Sequence, residues 1–234
     1  MVICVPSGVT EVQEKAVRDA AQKAGASTAY LIEEPVAAAI GADIDISSTD
    51  GSMIVDIGGG TTDIAVISMD SVVVSDSIKV AGDKFDEAII KFMRQKHNII
   101  IGEPTAENIK KTVGSVWRDG DVITMDVKGR CITQGLPTQV TVTSTEMLEA
   151  LMPPISEIID AICGVIERTP PELVADIIKN GIVLTGGGAK LRGLDRLIEY
   201  TLRIHAYVAH EPEYCVVRGT GRVLENFRRY SGNN

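Results

Sequence analysis

Aromatic residues are scarce, at 4% of 234 residues, with one Trp, five Tyr and three Phe. The core must therefore be aliphatic, since hydrophobic residues still make up 44% of the chain. Basic charge is also short: 23 Lys and Arg stand against 32 Asp and Glu, a formal net charge of −9. That balance argues against a nucleic-acid partner, which calls for a basic face. It leaves room for a phosphate ligand, because backbone N–H groups and helix dipoles can hold one. The four cysteines, Cys4, Cys131, Cys163 and Cys215, form no C-x-x-C pair, and His97, His205 and His210 complete no zinc spacing. Free thiols in a reducing compartment are expected. No apolar run approaches the ~20 residues of a membrane span. Met1 to Val5 is too short for a secretory signal and lacks a basic lead. The chain reads as soluble and cytoplasmic.

What is present is an alternation of short strands and helices. Val2-Ile3-Cys4-Val5 is an apolar strand, and Thr10 with Gln13 has the form of a capping box opening a helix that stops at Gly25. Tyr30-Leu31-Ile32 is a second strand, and Pro35 suits the first turn of a helix reaching Gly41. Residues 43–51 are polar and turn-rich, a linker. Strands over 52–57, 62–69 and 72–80 are joined too tightly for crossovers and predict an antiparallel meander. Helices follow over 83–96, with Phe85, Ile89 and Met93 as core, and over 105–113. Residues 122–143 are β-rich, turned at Lys128-Gly129 and near Gly135-Leu136-Pro137. Helix returns over 145–168, with Pro153-Pro154 expected to kink or split it, and again over 171–180. The end is a strand at 182–184, a helix over 191–202, a strand at 206–208 and a helix from Val216 to Phe227. Tyr30 to Pro35 and Tyr207 to Pro212 each read as strand, acid, proline, helix, so the opening segment looks like part of a unit repeated at the end.

Two turns carry the candidate chemistry. In Asp56-Ile57-Gly58-Gly59-Gly60-Thr61-Thr62-Asp63, consecutive glycines let backbone N–H groups approach a ligand closely. Thr61 and Thr62 add hydroxyl donors for phosphate. Asp56, ending its strand, is placed to hold Mg2+ through water, because that ion keeps much of its hydration. A plain hairpin turn is the alternative, although it needs fewer glycines. No Lys-Ser or Lys-Thr follows, so this is not a Walker loop, and the next element is a strand, so it is not a Rossmann fingerprint. Thr185-Gly186-Gly187-Gly188-Ala189-Lys190 lies between a strand and a helix, where helix N–H groups face an anion or flat glycine backbone faces a ring. Alone it reads equally as a tight connection; with the first turn it makes a second jaw. Glu34 at a helix start reads as a dipole-favouring acid, and Glu107 with Lys110 as a solvated ion pair.

With these residues in view, the chain resembles the actin, Hsp70 and sugar-kinase ATPase superfamily, and within it the MreB-type bacterial actins. The matching stretches are 5–10, 31–41, 55–63, 80–83, 101–107, 169–173 and 184–193. The resemblance implies an α/β, actin-like ATPase (ribonuclease H-like) fold with an incomplete first lobe and a complete second lobe carrying an inserted α+β subdomain. Residues 1–50 would be the back half of lobe I, 51–82 and 181–234 the core of lobe II, and 83–180 the insertion. By resemblance, Gly58, Gly59, Gly60, Thr61 and Thr62 form a phosphate loop with Asp56 at the metal. Gly186, Gly187, Gly188 and Lys190 form the adenosine-side turn. Glu107 and Lys110 contact ribose and base, and Glu34 positions the attacking water. ATP/ADP and Mg2+ would be the ligands. The resemblance also implies a self-partner in head-to-tail filaments, weak ATP hydrolysis coupled to polymerisation, and filaments that control rod cell shape. These would lie in the cytoplasm, peripheral at the inner membrane beside membrane-associated wall-synthesis proteins.

The family's other phosphate loop, an Asp-x-Gly-Thr segment, does not occur in these residues, nor does the apolar membrane-contacting feature of that lobe. Charge-assisted hydrogen bonds are worth ~1.5–3 kcal/mol each, so losing two or three would remove roughly 3–9 kcal/mol from the ~8 kcal/mol of a micromolar ligand. The 234-residue chain is thus expected to read as a truncated form that binds ATP poorly, hydrolyses it scarcely and exposes an aggregation-prone edge at Val2 to Val5. Two other readings remain: an Hsp70-like or other ATPase of the same superfamily, or a degenerate interaction module that binds no nucleotide.

Overall fold

The computed structural model describes residues 1–118 and 120–226. Strands β1 (Val2–Val5) and β2 (Tyr30–Glu33) lie parallel, Val2 beside Tyr30 and Val5 beside Glu33. Helix α1 (Glu11–Lys23) makes the crossover. It starts at the expected capping box: Gln13 N–H donates to Thr10 Oγ1 at 3.3 Å and Thr10 N–H to Gln13 Oε1 at 2.9 Å. Helix α2 (Glu34–Gly41) follows β2 directly, with Pro35 in its first turn, where a missing N–H costs nothing. Among the described residues β1 pairs on one side only. The polar 43–51 segment is tied down rather than loose, since Met69 and Asp70 donate their N–H groups to the Ser48 and Ile46 carbonyls.

Strands β3 (Ser52–Ile57), β4 (Thr62–Ser68) and β5 (Ser71–Ile78) form the expected meander. Strands β9 (Ile182–Thr185) and β10 (Ala206–Val208) extend it in parallel, giving the order β10-β9-β3-β4-β5. Strand β4 is buried along its whole length, and its unbroken apolar run suits a strand covered on both faces. One cover is α2 with α8 (Cys215–Glu225), meeting Ile54, Ala65 and Ile67. The other is α3 (Gly82–Lys96) with α5 (Ser144–Arg168), whose Phe85, Ile89, Leu151 and Ile155 join Val55, Ile57, Ile64 and Val66. The order β9, α7 (Leu194–Leu202), β10, α8 repeats β1, α1, β2, α2. The two terminal helices of these units pack on each other. Their backbones nearly touch: a Cβ on Gly41 would overlap the Cys215 carbonyl, and one on Gly219 the Ala37 carbonyl.

Between β5 and β9 lie α3, β6 (Ile99–Ile100), α4 (Glu103–Val113), β7 (Thr124–Cys131), β8 (Pro137–Thr143), α5 and α6 (Pro171–Asn180), with β6-β7-β8 as a separate antiparallel sheet. Here several sequence expectations are corrected. Lys128-Gly129 is no turn: β7 runs straight through it. A Cβ on Gly129 would stand 2.8 Å from the Ile100 carbonyl oxygen, so the glycine admits the neighbouring β6, a strand the pattern does not reveal. Helix α5 is not split at Pro153-Pro154. Thr143 and Glu146 close a capping box at its start, and one buried stripe (Met147, Leu151, Pro154, Ile158, Ile162, Val165) continues across the prolines. Burial of that stripe outweighs the two missing donors. The helix expected from Leu191 begins at Leu194, because Gly187–Lys190 forms a 3-10 turn and Gly193 takes a left-handed φ of 77°. The expected end of the last helix at Phe227 lies outside the described residues.

Candidate functional site

The two glycine turns leave neighbouring parallel strands. Asp56 of β3 lies in register with Thr185 of β9, so the turns after them emerge side by side at the carboxyl end of the sheet, a usual place for a ligand crevice. A cavity of about 910 Å3 opens there. Gly58, Gly59, Glu107, Lys110, Gly187, Gly188 and Lys190, all expected from the sequence, line it together with Asp83, Asp86, Glu103, Arg192 and Glu213. Its size suits a nucleotide-sized ligand.

The first turn is latched to the start of α3. Gly82 N–H donates to the Gly58 carbonyl at 3.1 Å, Asp83 N–H to the Gly59 carbonyl at 2.8 Å, and Gly58 N–H to the Thr61 carbonyl at 2.9 Å. Thr62 departs from its expected role. As the first residue of β4 it points inward, is fully buried, and donates its hydroxyl to the Val80 carbonyl at 2.6 Å, so it has no donor for a phosphate. Gly60 and Thr61 also lie off the cavity lining. In the second turn the glycines differ. Gly186, at φ 81°, and Gly188 pack against Ile57, where a Cβ would overlap it, whereas Gly187 has nothing within 4 Å and is open to the cavity.

Charges line the remaining walls. Glu107 and Lys110 do not pair with each other. Glu107 binds Lys111 at 2.6 Å, and that bond holds its carboxyl below the usual range. Lys110 Nζ donates to Asp86 Oδ2 at 2.8 Å and to the Gly82 carbonyl at 3.0 Å. Lys190 Nζ meets Glu213 Oε1 at 2.8 Å, which raises the lysine's pKa and lowers the glutamate's.

Behind the first turn, three acids gather. Asp63 stands opposite Asp56 in the hairpin register. Its Oδ1 accepts the Ser7 N–H at 3.0 Å, while its buried Oδ2 has no partner among the described residues. Burial pushes Asp56 up to about 6, against the Thr185 hydroxyl that donates to it at 2.7 Å and with help from Asp63. Burial, then Asp63 and Asp56, likewise raises Glu34 to about 6. Glu34 opens α2 without a side-chain capping bond, and the neighbouring Glu33 accepts the Ser7 hydroxyl at 2.8 Å. Among the described residues no three acids, histidines or cysteines could hold a metal directly. The orphaned Asp63 oxygen and the raised Asp56 fit a cation held through its own water. Asp63, Asp83, Asp86 and Glu213 were missed as site residues. For Asp63 a signal existed: it mirrors Asp56 about the glycine turn, which a hairpin register brings face to face.

The family model described as MreB/Mbl protein matches residues 1–232. The chain belongs to the MreB/Mbl family. It is 48% identical over 233 residues to the cell shape-determining protein MreB of Escherichia coli (strain K12), covering 100% of this chain and 67% of that protein. Among solved structures it matches MreB5 of Spiroplasma citri bound to ADP, with a TM-score of 0.96 and 39% identity over 100% of this chain and 71% of that one. It also matches a MamK double helical filament, with a TM-score of 0.80 and 25% identity over 96% and 68% of the two chains. This MreB/Mbl chain thus has the actin-like ATPase fold and spans about two thirds of the length of these relatives.

Proposed function

We propose that this MreB/Mbl-family chain is an actin-like cytoskeletal protein that binds ATP and ADP in the 910 Å3 cavity and polymerises with copies of itself to determine cell shape. The observation carrying the reading is the convergence of both glycine turns on one cavity at the ends of β3 and β9. Its relatives support it: E. coli MreB is named for cell shape, S. citri MreB5 binds ADP, and MamK forms a filament. Residues 1–50 then belong to one lobe, 51–82 with 181–234 to the other, and 83–180 to an insertion between β5 and β9. No helix among the described residues is long and apolar enough to cross a membrane. The filaments of this reading lie in the cytoplasm, peripheral at the inner membrane, beside wall-synthesis proteins.

In this reading the backbone of the first turn meets the phosphates at Gly58 and Gly59, which line the cavity, and Gly187 and Gly188 flank the adenosine with Lys190. Glu107 and Lys110 contact the ribose and base, Glu107 as an acceptor and Lys110 as a donor. Glu34, with its carboxyl near 6, is largely ionised at neutral pH and can orient the water that attacks the terminal phosphate. Bound Mg2+ would neutralise phosphate charge, with Asp56 accepting from its water shell. The chemistry is slow hydrolysis of ATP to ADP and phosphate, coupled to polymerisation. Sedimentation and electron microscopy with ATP, with ADP and without nucleotide test this. Nucleotide-dependent filaments are expected. Monomers under all three conditions, with no nucleotide bound at millimolar concentration, would overturn the reading in favour of a nucleotide-free interaction module.

A further inference from the structure

We propose that Arg218, on α8 and off the cavity lining, is a positioning residue for the second glycine turn: its guanidinium holds Glu211 in a strained conformation, and Pro212 beside it holds Gly186. The inference rests on the nucleotide reading above and names a residue on which the second wall of the cavity depends.

Among the described residues six non-glycines have a left-handed φ. Asp43, Asn98 and Arg203 close α2, α3 and α7, and Met69 with Asp70 turns the β4–β5 hairpin, all ordinary settings for that conformation. Glu211, at φ 46°, has neither setting, since it lies between β10 and the 3-10 turn Pro212–Tyr214. Left-handed backbone is costly for such a residue and persists only where its surroundings over-determine it.

Arg218 supplies those surroundings. Its guanidinium donates to Glu211 Oε2 at 3.2 Å, to the Glu211 carbonyl at 3.4 Å and to the His210 carbonyl. It therefore grips the side chain and the two carbonyls that flank the strained residue, as a planar fork of donors can. The arrangement is a poor source of stability in itself: Arg218 Nε is buried with no partner among the described residues.

The strained residue is joined to the cavity by one hydrogen bond. The Pro212 carbonyl accepts the Gly186 N–H at 3.0 Å. On its other side Gly186 presses on the Ile57 carbonyl, so the turn is clamped between the end of β3 and residue 212. Gly187, next in the chain, lines the cavity. Arg218 thus acts on the site through Glu211, Pro212 and Gly186.

Amide hydrogen exchange by NMR and calorimetric titration with ADP, both on the whole chain, test this. Arg218→Met should speed exchange of the Gly186 amide at least ten-fold and leave the Gly58 amide of the first turn within about two-fold. It should weaken ADP roughly ten-fold, or about 1.4 kcal/mol, the order of the strain in one left-handed residue. Arg218→Lys, which keeps the charge without the fork, should fall between. Adding Glu211→Gly to Arg218→Met should restore most of the ADP affinity, because glycine adopts this φ without help. A residue that merely stabilises α8 would gain nothing from that second change. Three results would overturn the inference: ADP affinity unchanged by Arg218→Met, a double variant no better than Arg218→Met alone, or Gly58 and Gly186 amides accelerating together. Failure of the unsubstituted chain to bind ADP at millimolar concentration would overturn the nucleotide reading itself, and this inference with it.

Discussion

Asp56 and Asp63 face each other across the β3–β4 hairpin, one 5% exposed and the other fully buried, with a single hydroxyl and a single N–H between them as compensation. Burial makes ionising Asp56 costly and the charge of Asp63 opposite adds to that cost, so the pH dependence of stability should show it. The Asp56 carboxyl ordinarily titrates at 3.8 and in the folded chain near 6. Between those values the unfolded chain has released the proton while the folded one retains it. The contribution of Asp56 to stability is therefore most favourable below about pH 4, declines up to about pH 6 and is flat above. Asp56→Asn removes that decline. Urea denaturation should show the variant stabilised by about 2–3 kcal/mol at pH 7 and barely changed at pH 4. Equal effects at both pH values would mean that charge is not the cause. Glu34 titrates in the same window with the same sign, so some slope should survive the substitution.

How much of this was legible beforehand follows from how local each feature is. The meander, the Thr10–Gln13 box and the two glycine turns are written in short stretches of sequence, where spacing and residue type decide the conformation. The straight course of β7 was not legible, because what decides it is the approach of Ile100 to Gly129, a contact between strands. The Lys110–Asp86 and Lys190–Glu213 pairs, 24 and 23 residues apart in sequence, were hidden for the same reason. Each joins two elements whose relative position no local pattern specifies. Thr62 was misread because its residue type suits a phosphate loop, while its place at the head of a buried strand turns the hydroxyl inward.

The Lys190–Glu213 pair predicts a gain of binding. It spans the cavity wall between the second glycine turn and the segment before α8, with side chains 58% and 33% exposed. At that exposure it adds little to stability, yet it occupies a cation that an anionic ligand in the cavity could use. Glu213→Gln should leave Tm within about a degree and tighten ADP roughly three-fold at low salt, with the gain fading as salt rises. Fluorescence titration at two ionic strengths checks it. Weaker ADP binding would show instead that Glu213 positions Lys190 for the ligand.

Two glycines of α8 should respond in opposite directions. Gly219 lies against the Ala37 carbonyl where α8 crosses α2, and a Cβ there cannot be accommodated without parting the helices. Gly221 has nothing within 4 Å of its would-be Cβ. Gly219→Ala should cost about 2–4 kcal/mol through overpacking. Gly221→Ala should gain about 0.5–1 kcal/mol from helix propensity alone. Thermal denaturation of the two variants distinguishes packing from propensity, since both changes add the same methyl group to the same helix.

The proline pair of α5 offers the same kind of contrast within two adjacent residues. Pro153 is exposed and Pro154 buried, and neither can donate to the carbonyl one turn earlier. Pro153→Ala restores a donor on the solvent side and disturbs no packing, at the expense of a more flexible unfolded chain. The net should be a gain of about 1–2 kcal/mol, because an interior proline costs a helix about 3 kcal/mol relative to alanine and the unfolded-state penalty is smaller. Pro154→Ala restores a donor too, but it withdraws a ring from the stripe that runs on to Ile155 and Ile158, and the space it leaves should offset the gain. Chemical denaturation should therefore show Pro153→Ala clearly stabilised and Pro154→Ala near neutral. If Pro153→Ala were destabilising, the kink that proline imposes would itself be what fits α5 to the five-stranded sheet, and burial of the stripe would depend on it.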